Sequence, residues 1–410
     1  MKKTLLLSVV ASGLLFAGGD IAPVEPAVVT PAPAPAPVVD SGWKFSGQAV
    51  VYYQTDDSYI TSRGVTSPQD DSLFSQGASA ANAGLQLTAT NDDLIAGIGF
   101  GAQINGLGTL GLDEDVVSDV MQTAGSELNS AYISQLYLTY GINNTSFKVG
   151  RQELPKALSP FAYSEDWNVF KNTYNAALVV NTDIPDTVLV GAWVRDANWN
   201  GLHADMSDFG KLNGNDGVWM LTAQNKSIAD LTLTGSFYYA NDFANILWVD
   251  AQYNAGVANI GLQGGAIMPD ASAADDTTAF GAKVSGKFDI VNASIAYTTV
   301  NDGSTPILNF GGSSSVLYTN TVSNEMFPMI TTWDADKVLV KADADVLGGN
   351  LGLAYGHTDS SAIDNIDEIE LTYKTKLVDA IDLEATYAYV DADAFADEIN
   401  GFRLVGRYNF

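Results

Sequence analysis

The stretch GFRLVGRYNF, residues 401–410, alternates without a fault. Phe402, Leu404, Gly406, Tyr408 and Phe410 fall on one parity, and Arg403, Val405, Arg407 and Asn409 on the other. A period of two is the signature of a β-strand whose faces meet different surroundings. A soluble domain usually frays into polar residues at its end, whereas this chain stops on its apolar stripe. The same pattern recurs upstream. In ADLTLTGSFYYA (229–240), Leu231, Leu233, Phe237 and Tyr239 oppose Thr232, Thr234, Ser236 and Tyr238. In DEIELTYKT (367–375), Ile369, Leu371 and Tyr373 oppose Glu368, Glu370, Thr372 and Lys374.

From Trp43 onward the sequence divides into eighteen such segments: 45–55, 82–90, 94–105, 131–142, 146–153, 173–181, 187–197, 217–225, 230–241, 244–254, 258–268, 277–288, 290–300, 333–344, 350–358, 366–375, 381–391 and 399–410. The most helix-like stretch is LDEDVVSDVMQTA (112–124), in a connection. The even-numbered gaps are short: NDD before Leu94, 143–145, 182–186, 226–229, 255–257 and a single Asp289. The long gaps, 56–81, 106–130, 154–172, 198–216 and 301–332, are all odd-numbered. This sorting predicts an all-β fold, a transmembrane antiparallel β-barrel of about eighteen strands with short periplasmic turns and long extracellular loops. A β-sandwich has no reason to sort its connections.

Charges inside the strands keep almost entirely to the non-apolar parity, with Arg151, at a strand end, the exception. That face is expected to line a water-filled lumen, because an eighteen-stranded barrel is too wide for side chains to fill. Its cations are Lys148, Arg195, Lys283, Lys287, Lys337, Lys341, Lys374, Arg403 and Arg407. Its anions include Asp250, Asp343, Glu368, Glu370, Asp382 and Glu384. Two arrangements are open: opposed rows that set a transverse field across the water, or pairs that stiffen the wall. The loop 154–172, with Lys156, Glu165, Asp166, Trp167 and Lys171, is the candidate constriction. Its Pro155, Pro160, Phe161 and Trp167 are suited to packing against the wall.

Bulk properties agree. The chain has 410 residues, a charged fraction of 16%, a formal charge of −29 and no cysteine. The charge argues against nucleic-acid binding, and the missing cysteine excludes disulfides and thiolate metal sites. Residues 1–17, with Lys2 and Lys3 before an apolar run, read as a secretory signal peptide cleaved near Ala17. Residues 18–42, containing PVEPAVVTPAPAPAPVV, read as an extended periplasmic linker; residues 43–410 are the barrel. GLGTLG (106–111) matches a dinucleotide-binding pattern but lacks the helix that pattern requires. His203 and His357 have no metal-ligand partner at helical spacing, and no catalytic constellation or cofactor is expected. Acidic loops such as LDEDVVSD (112–119) suit solvation better than a dedicated Ca²⁺ site.

FKVGRQELPKALSPFAYSEDWNVFKNTYNAAL (147–178) resembles the fifth strand, inward loop and sixth strand of the OprD-like (Opr family) outer-membrane porins of Gram-negative bacteria. The matching parts are Lys148-Val149-Gly150-Arg151-Gln152, then Leu154-Pro155, then an aromatic and polar tract returning to a strand. Trp167-Asn168-Val169-Phe170-Lys171 stands where that family has an arginine-leucine-proline tract, so its substrate specificity does not carry over. The resemblance implies a passive diffusion channel, often a homotrimer, surrounded by outer-membrane lipid and lipopolysaccharide. It also implies that Tyr408 and Phe410 form a signal read by the barrel assembly machinery. The function expected is passage of small hydrophilic solutes and ions; the alternative is a structural or adhesive surface barrel without significant conductance.

Overall fold

The computed structural model describes residues 42–57, 72–125, 127–327, 333–361, 364–378, 380–393 and 398–410. The signal-peptide and linker segments expected at 1–41 lie outside these residues. Eighteen strands form one antiparallel sheet: β1 (Trp43–Asp56), β2 (Ser79–Ile95), β3 (Ile98–Gly108), β4 (Ser130–Ile142), β5 (Thr145–Gln152), β6 (Tyr174–Asn181), β7 (Thr187–Ala197), β8 (Val218–Asn225), β9 (Leu231–Ala240), β10 (Ala244–Asn254), β11 (Asn259–Pro269), β12 (Thr277–Phe288), β13 (Val291–Val300), β14 (Ala335–Val346), β15 (Gly349–Ser360), β16 (Asp364–Leu377), β17 (Ile381–Ala392) and β18 (Ile399–Asn409). Each strand pairs with its sequence neighbours, and β1 pairs with both β2 and β18, which closes the barrel. The closing register runs from Gln48 opposite Asn409 to Asp56 opposite Gly401. Beyond it the backbone of Phe410 exchanges hydrogen bonds with Gly47 at 2.7 and 3.0 Å.

Connections sort onto two rims. One carries the described parts of 96–97, 143–144, 182–186, 226–230, 255–258, 289–290, 347–348 and 378–380; the other carries the described parts of the long segments 57–78, 109–129, 153–173, 198–217 and 301–334. Two boundaries differ from the sequence expectation. The turn between β2 and β3 is Ala96-Gly97, not the NDD tract. β2 runs on through a register shift between Asn91 and Ile95, and the Asp93 carboxylate accepts from Gly97 N at 2.8 Å. Ala96 and Gly97 have φ of 53° and 82°, the left-handed pair that a two-residue hairpin demands. The lone Asp289 turns out to need Ile290 beside it, because one residue cannot reverse a hairpin.

Two short helices occur, α1 (Leu112–Asp115) and α2 (Val322–Met326). α1 is all that forms of the helix-like stretch and of any helix after GLGTLG. No helix among the described residues is long and apolar enough to cross a membrane.

Side-chain direction follows parity. Leu221 (59% exposed), Leu353 (56%) and Val249 (52%) point away from the barrel axis, as do Leu233, Leu371 and Leu404. Large apolar side chains thus cover the outside, the reverse of a soluble protein. Aromatic rings collect near both rims. Trp193 and Trp219 lie 6.3 Å apart at the long-loop end, and Tyr408 stacks on Phe410 at 5.7 Å at the other. Tyr297 and Tyr355, near the long-loop rim, donate to Asp336 and Asp367 at 2.6 Å.

Candidate functional site

The inward faces enclose a cavity of about 2660 Å³. It runs from the short-turn rim at Asn143, Asn144, Leu347 and Gly348 to the undersides of two loops that fold into the barrel. Strand register sets its charges in rows. Lys374 lies opposite Glu384 with 3.2 Å between charged atoms, and Lys376 opposite Asp382 at 2.6 Å. Asp343 accepts from Asn292 at 2.8 Å and Asn350 at 2.9 Å.

The first inward loop is 153–173. Its apolar residues seat it on the wall: Phe161 is fully buried, edge-on to Tyr238 (5.7 Å) and Trp248 (5.5 Å), and its N–H donates to the Tyr238 hydroxyl. From the opposite wall the Arg407 guanidinium donates to the carbonyls of Asn168 and Val169. Lys171 sits 3.7 Å from Glu153 and 3.6 Å from Asp166. The Glu165 carboxylate faces inward and accepts from Trp167 Nε1 (2.7 Å), Asn309 Nδ2 (2.8 Å), Ser314 N (2.9 Å) and Ser313 N (3.3 Å). Burial raises its pKa, and these neutral donors pull it back down. Lys156 donates to the Ser315 carbonyl at 2.7 Å above the Tyr163 ring, and burial pushes its ammonium down to about 8.

The second inward loop, 301–327, was not singled out from sequence. NDGSTPILNFGGSSSVL (301–317) reads as polar and glycine-rich, and nothing in such a composition says which side of the rim it occupies. Its apolar residues turn toward the first loop and the wall, with Ile307 fully buried and Leu317 nearly so. Phe310 N donates to the Phe161 carbonyl at 2.8 Å, joining the two loops. Wall residues hold the far side. Tyr318 donates to Asp250, Thr319 pairs with Thr298 at 2.5 Å, and Thr321 donates to Glu368 at 3.0 Å. Glu370 takes the free N–H groups of Val322 and Ser323 at the start of α2. Glu325 on α2 reaches Arg403 at 3.0 Å.

The site residues expected from sequence therefore separate into groups. Lys148, Lys283, Lys287, Lys341, Glu370, Lys374, Glu384, Arg403 and Arg407 line the cavity, as do Lys156, Glu165, Asp166, Trp167 and Lys171 of the first loop. Lys148 lies 3.8 Å over the Tyr137 ring. Lys337 and Glu368 also point inward, but they form a fully buried ion pair behind the second loop and meet no water. Arg195 is a correction. The ladder between β6 and β7 shifts between Asn175 and Ala176, which leaves Arg195 unpaired. Its side chain, 48% exposed, lies outside the barrel beside Asp196. Arg195 shares the parity of Leu189 and Trp193, which face outward, while Val188, Val190, Ala192 and Val194 face the lumen; with both parities of this strand apolar, alternation alone does not say which one is outside. The lumen is also less uniformly charged than expected, because Leu178, Val180, Val188 and Met220 form an apolar strip on the β6–β8 wall. In the 112–119 segment, Asp113 accepts from Thr109 and Asp119 from His203. No group of three or more carboxylate or imidazole side chains able to hold a metal ion is present among the described residues.

These features define a class: a closed eighteen-stranded barrel with an apolar outside, a polar inside and two loops packed into its lumen. No protein-family model matches the sequence, and no curated protein does. Solved structures match over nearly the whole barrel. OccAB3 of Acinetobacter baumannii superposes with a TM-score of 0.72 at 14% identity, covering 91% of this chain and 100% of that one. OccK9 (OpdG) of Pseudomonas aeruginosa gives 0.71 at 15%, covering 90% and 98%. A BenF-like porin from Pseudomonas fluorescens Pf-5 gives 0.70 at 14%, covering 90% and 99%. At such identities the likeness is one of fold.

Proposed function

We propose that this protein is an outer-membrane porin, a passive diffusion channel for small hydrophilic solutes and ions. The observation that carries the reading is the inverted barrel: an apolar outer surface around a wide, charged lumen narrowed by loops 153–173 and 301–327. Trp43 and Tyr53, ten residues apart on the outward face of β1, lie about 34 Å apart along the strand and about 25 Å along the axis at a tilt of about 40°, the height of an outer-membrane apolar band. Helices are not needed to cross it, since a closed barrel satisfies every backbone group. The short-turn rim then faces the periplasm and the long-loop rim the exterior. The similarity to solved porins supports the same reading.

Selectivity in such a pore comes from width and from charges near the narrowing. The two loops set the width. Charges held in pairs, such as Lys374 with Glu384, contribute less than Lys341, which has no ion-pair partner among the described residues and faces Lys156. Purified protein in planar bilayers should show discrete conductance steps. Preparations that are folded and inserted yet never step would refute the channel and leave a surface barrel in its place.

A further inference from the structure

The segment YTNTVSNE (318–325) of the second loop carries one aliphatic side chain, Val322, and its seat on the barrel wall is polar too. Tyr318 and Thr319 are held by Asp250 on β10 and Thr298 on β13. Thr321 rests on Lys337 of β14 and Glu368 of β16, and the N–H groups of Val322 and Ser323 on Glu370 of β16. Glu325 ends the row on Arg403 of β18. Lys337 and Glu368, each 1% exposed, lie beneath the segment and pair with each other. They share the inward parity of Lys341 and Thr372, which line open lumen, so the polar rows of β14 and β16 run on unchanged under the loop. A permanent cover gains little from burying such a pair, since an apolar seat holds as well or better. The first loop has that kind of seat, with Phe161 against Tyr238 and Trp248. The polar seat also leaves groups unsatisfied. The Thr358 hydroxyl, opposite Lys337 in register, and Arg403 Nε have no hydrogen-bond partner among the described residues, and water would satisfy both.

Both ends of the segment are pinned by apolar side chains. Ile307 and Leu317 are buried in the cluster that holds Phe161 and Trp248, and Met326 and Phe327 pack with Ile366 and Val390. A chain pinned at both ends, and held between them by groups that water can replace, has one soft movement: it bows off the wall into the lumen. We propose that Tyr318–Glu325 is such a strap, seated while the pore conducts and closing it briefly when it bows toward the first loop. The closing role rests on the channel reading given above. Hydrogen bonds given up on the wall pass to water, so each costs little net free energy. Lys156 of the first loop faces Glu325 across the gap and offers its carboxylate a new partner once it leaves Arg403. Bowing wets Lys337, Glu368 and Thr358 together, and reseating buries them again.

The chain has no cysteine, so a disulfide can lock the strap without competition. The hydroxyls of Thr298 and Thr319 lie 2.5 Å apart, and Thr298→Cys/Thr319→Cys is compared oxidised and reduced, with wild type beside it. Two readouts are taken: single-channel current in planar bilayers, and acylation of lysines by a water-soluble N-hydroxysuccinimide ester, located by peptide mass spectrometry. Wild type and the reduced variant should show brief closures and slow acylation of Lys337. Oxidation should cut both about tenfold, while Lys341, on the same face of β14, reacts equally in every form. Closures that survive oxidation, or Lys337 acylated equally in the oxidised and reduced barrels, overturn the proposal. So does a Lys337 that stays inert in wild type while Lys341 reacts, a result that needs no variant to fold. If no form conducts yet Lys337 acylation follows the disulfide, the channel reading falls and the movement stands. Steady steps without closures, with Lys337 inert, remove the strap and leave the channel.

Discussion

At the residue scale, the lumen charges do two different jobs, and Arg403 shows how a side chain can be assigned to the wrong one. Parity places it correctly inside. It is nevertheless buried, with its side chain 4% exposed and held by Glu325. Removing one member of a buried pair strands the other, at a cost of about 3–5 kcal/mol. Arg403→Gln should therefore lower the thermal midpoint in detergent, and Glu325→Gln added to it should restore part of the loss; a double variant no more stable than the single would show that the pair is not the cause. Glu325 carries a pH signature as well. Burial pushes its carboxyl up to about 7, with Arg403 pulling the other way. A carboxyl that keeps its proton longer in the folded state stabilises the fold below its ordinary value of 4.5, and that contribution fades as pH rises toward about 7. Melting curves between those limits should show stability falling with pH, with a shallower slope in Glu325→Gln.

At the element scale, strands were legible and loops were not. A strand in this barrel answers to two solvents, so its letters must alternate, and Leu231–Ala240 or Ile399–Asn409 can be placed from sequence alone. The loop 154–172 announced itself through Pro155, Phe161 and Trp167, apolar side chains with no reason to face water. The segment 301–327 hid the same behaviour because its anchors are distant. Tyr318 depends on Asp250, and Val322 on Glu370, contacts that no local pattern encodes. Arg195 escaped for a different reason: both parities of Thr187–Ala197 are apolar, so the letters of that strand do not say which face is outside. The first loop can be tested on its own. Phe161→Ala should cost about 3–5 kcal/mol of local packing and loosen the loop against Tyr238 and Trp248. Open-channel current noise should rise; noise identical to wild type would mean that the loop does not bound the current path.

At the scale of the whole molecule, selectivity and closure are collective. Lys341→Glu replaces a lumen cation near Lys156 without breaking any ion pair among the described residues, so it should leave stability nearly unchanged. It should move the reversal potential in a salt gradient toward cation preference. An unmoved potential would place the selective region elsewhere. Closure concentrates at the β1–β18 seam, where the Phe410 ring covers Gly47 so closely that a Cβ there would meet it at 2.4 Å. Deleting Phe410, or Gly47→Leu, should reduce the yield of folded barrel recovered from membranes; equal yields would show that other pairs suffice to shut the seam.

That seam has a temporal consequence. Gln48 and Asn409 touch across 361 positions of chain, so the earliest strand to emerge keeps one bare flank until the last has been delivered. Every intermediate is an open ribbon with greasy letters on one side and two unsatisfied edges, a form that favours aggregation over waiting. A half-built sheet of this design thus cannot cover its edges until the first and last strands meet.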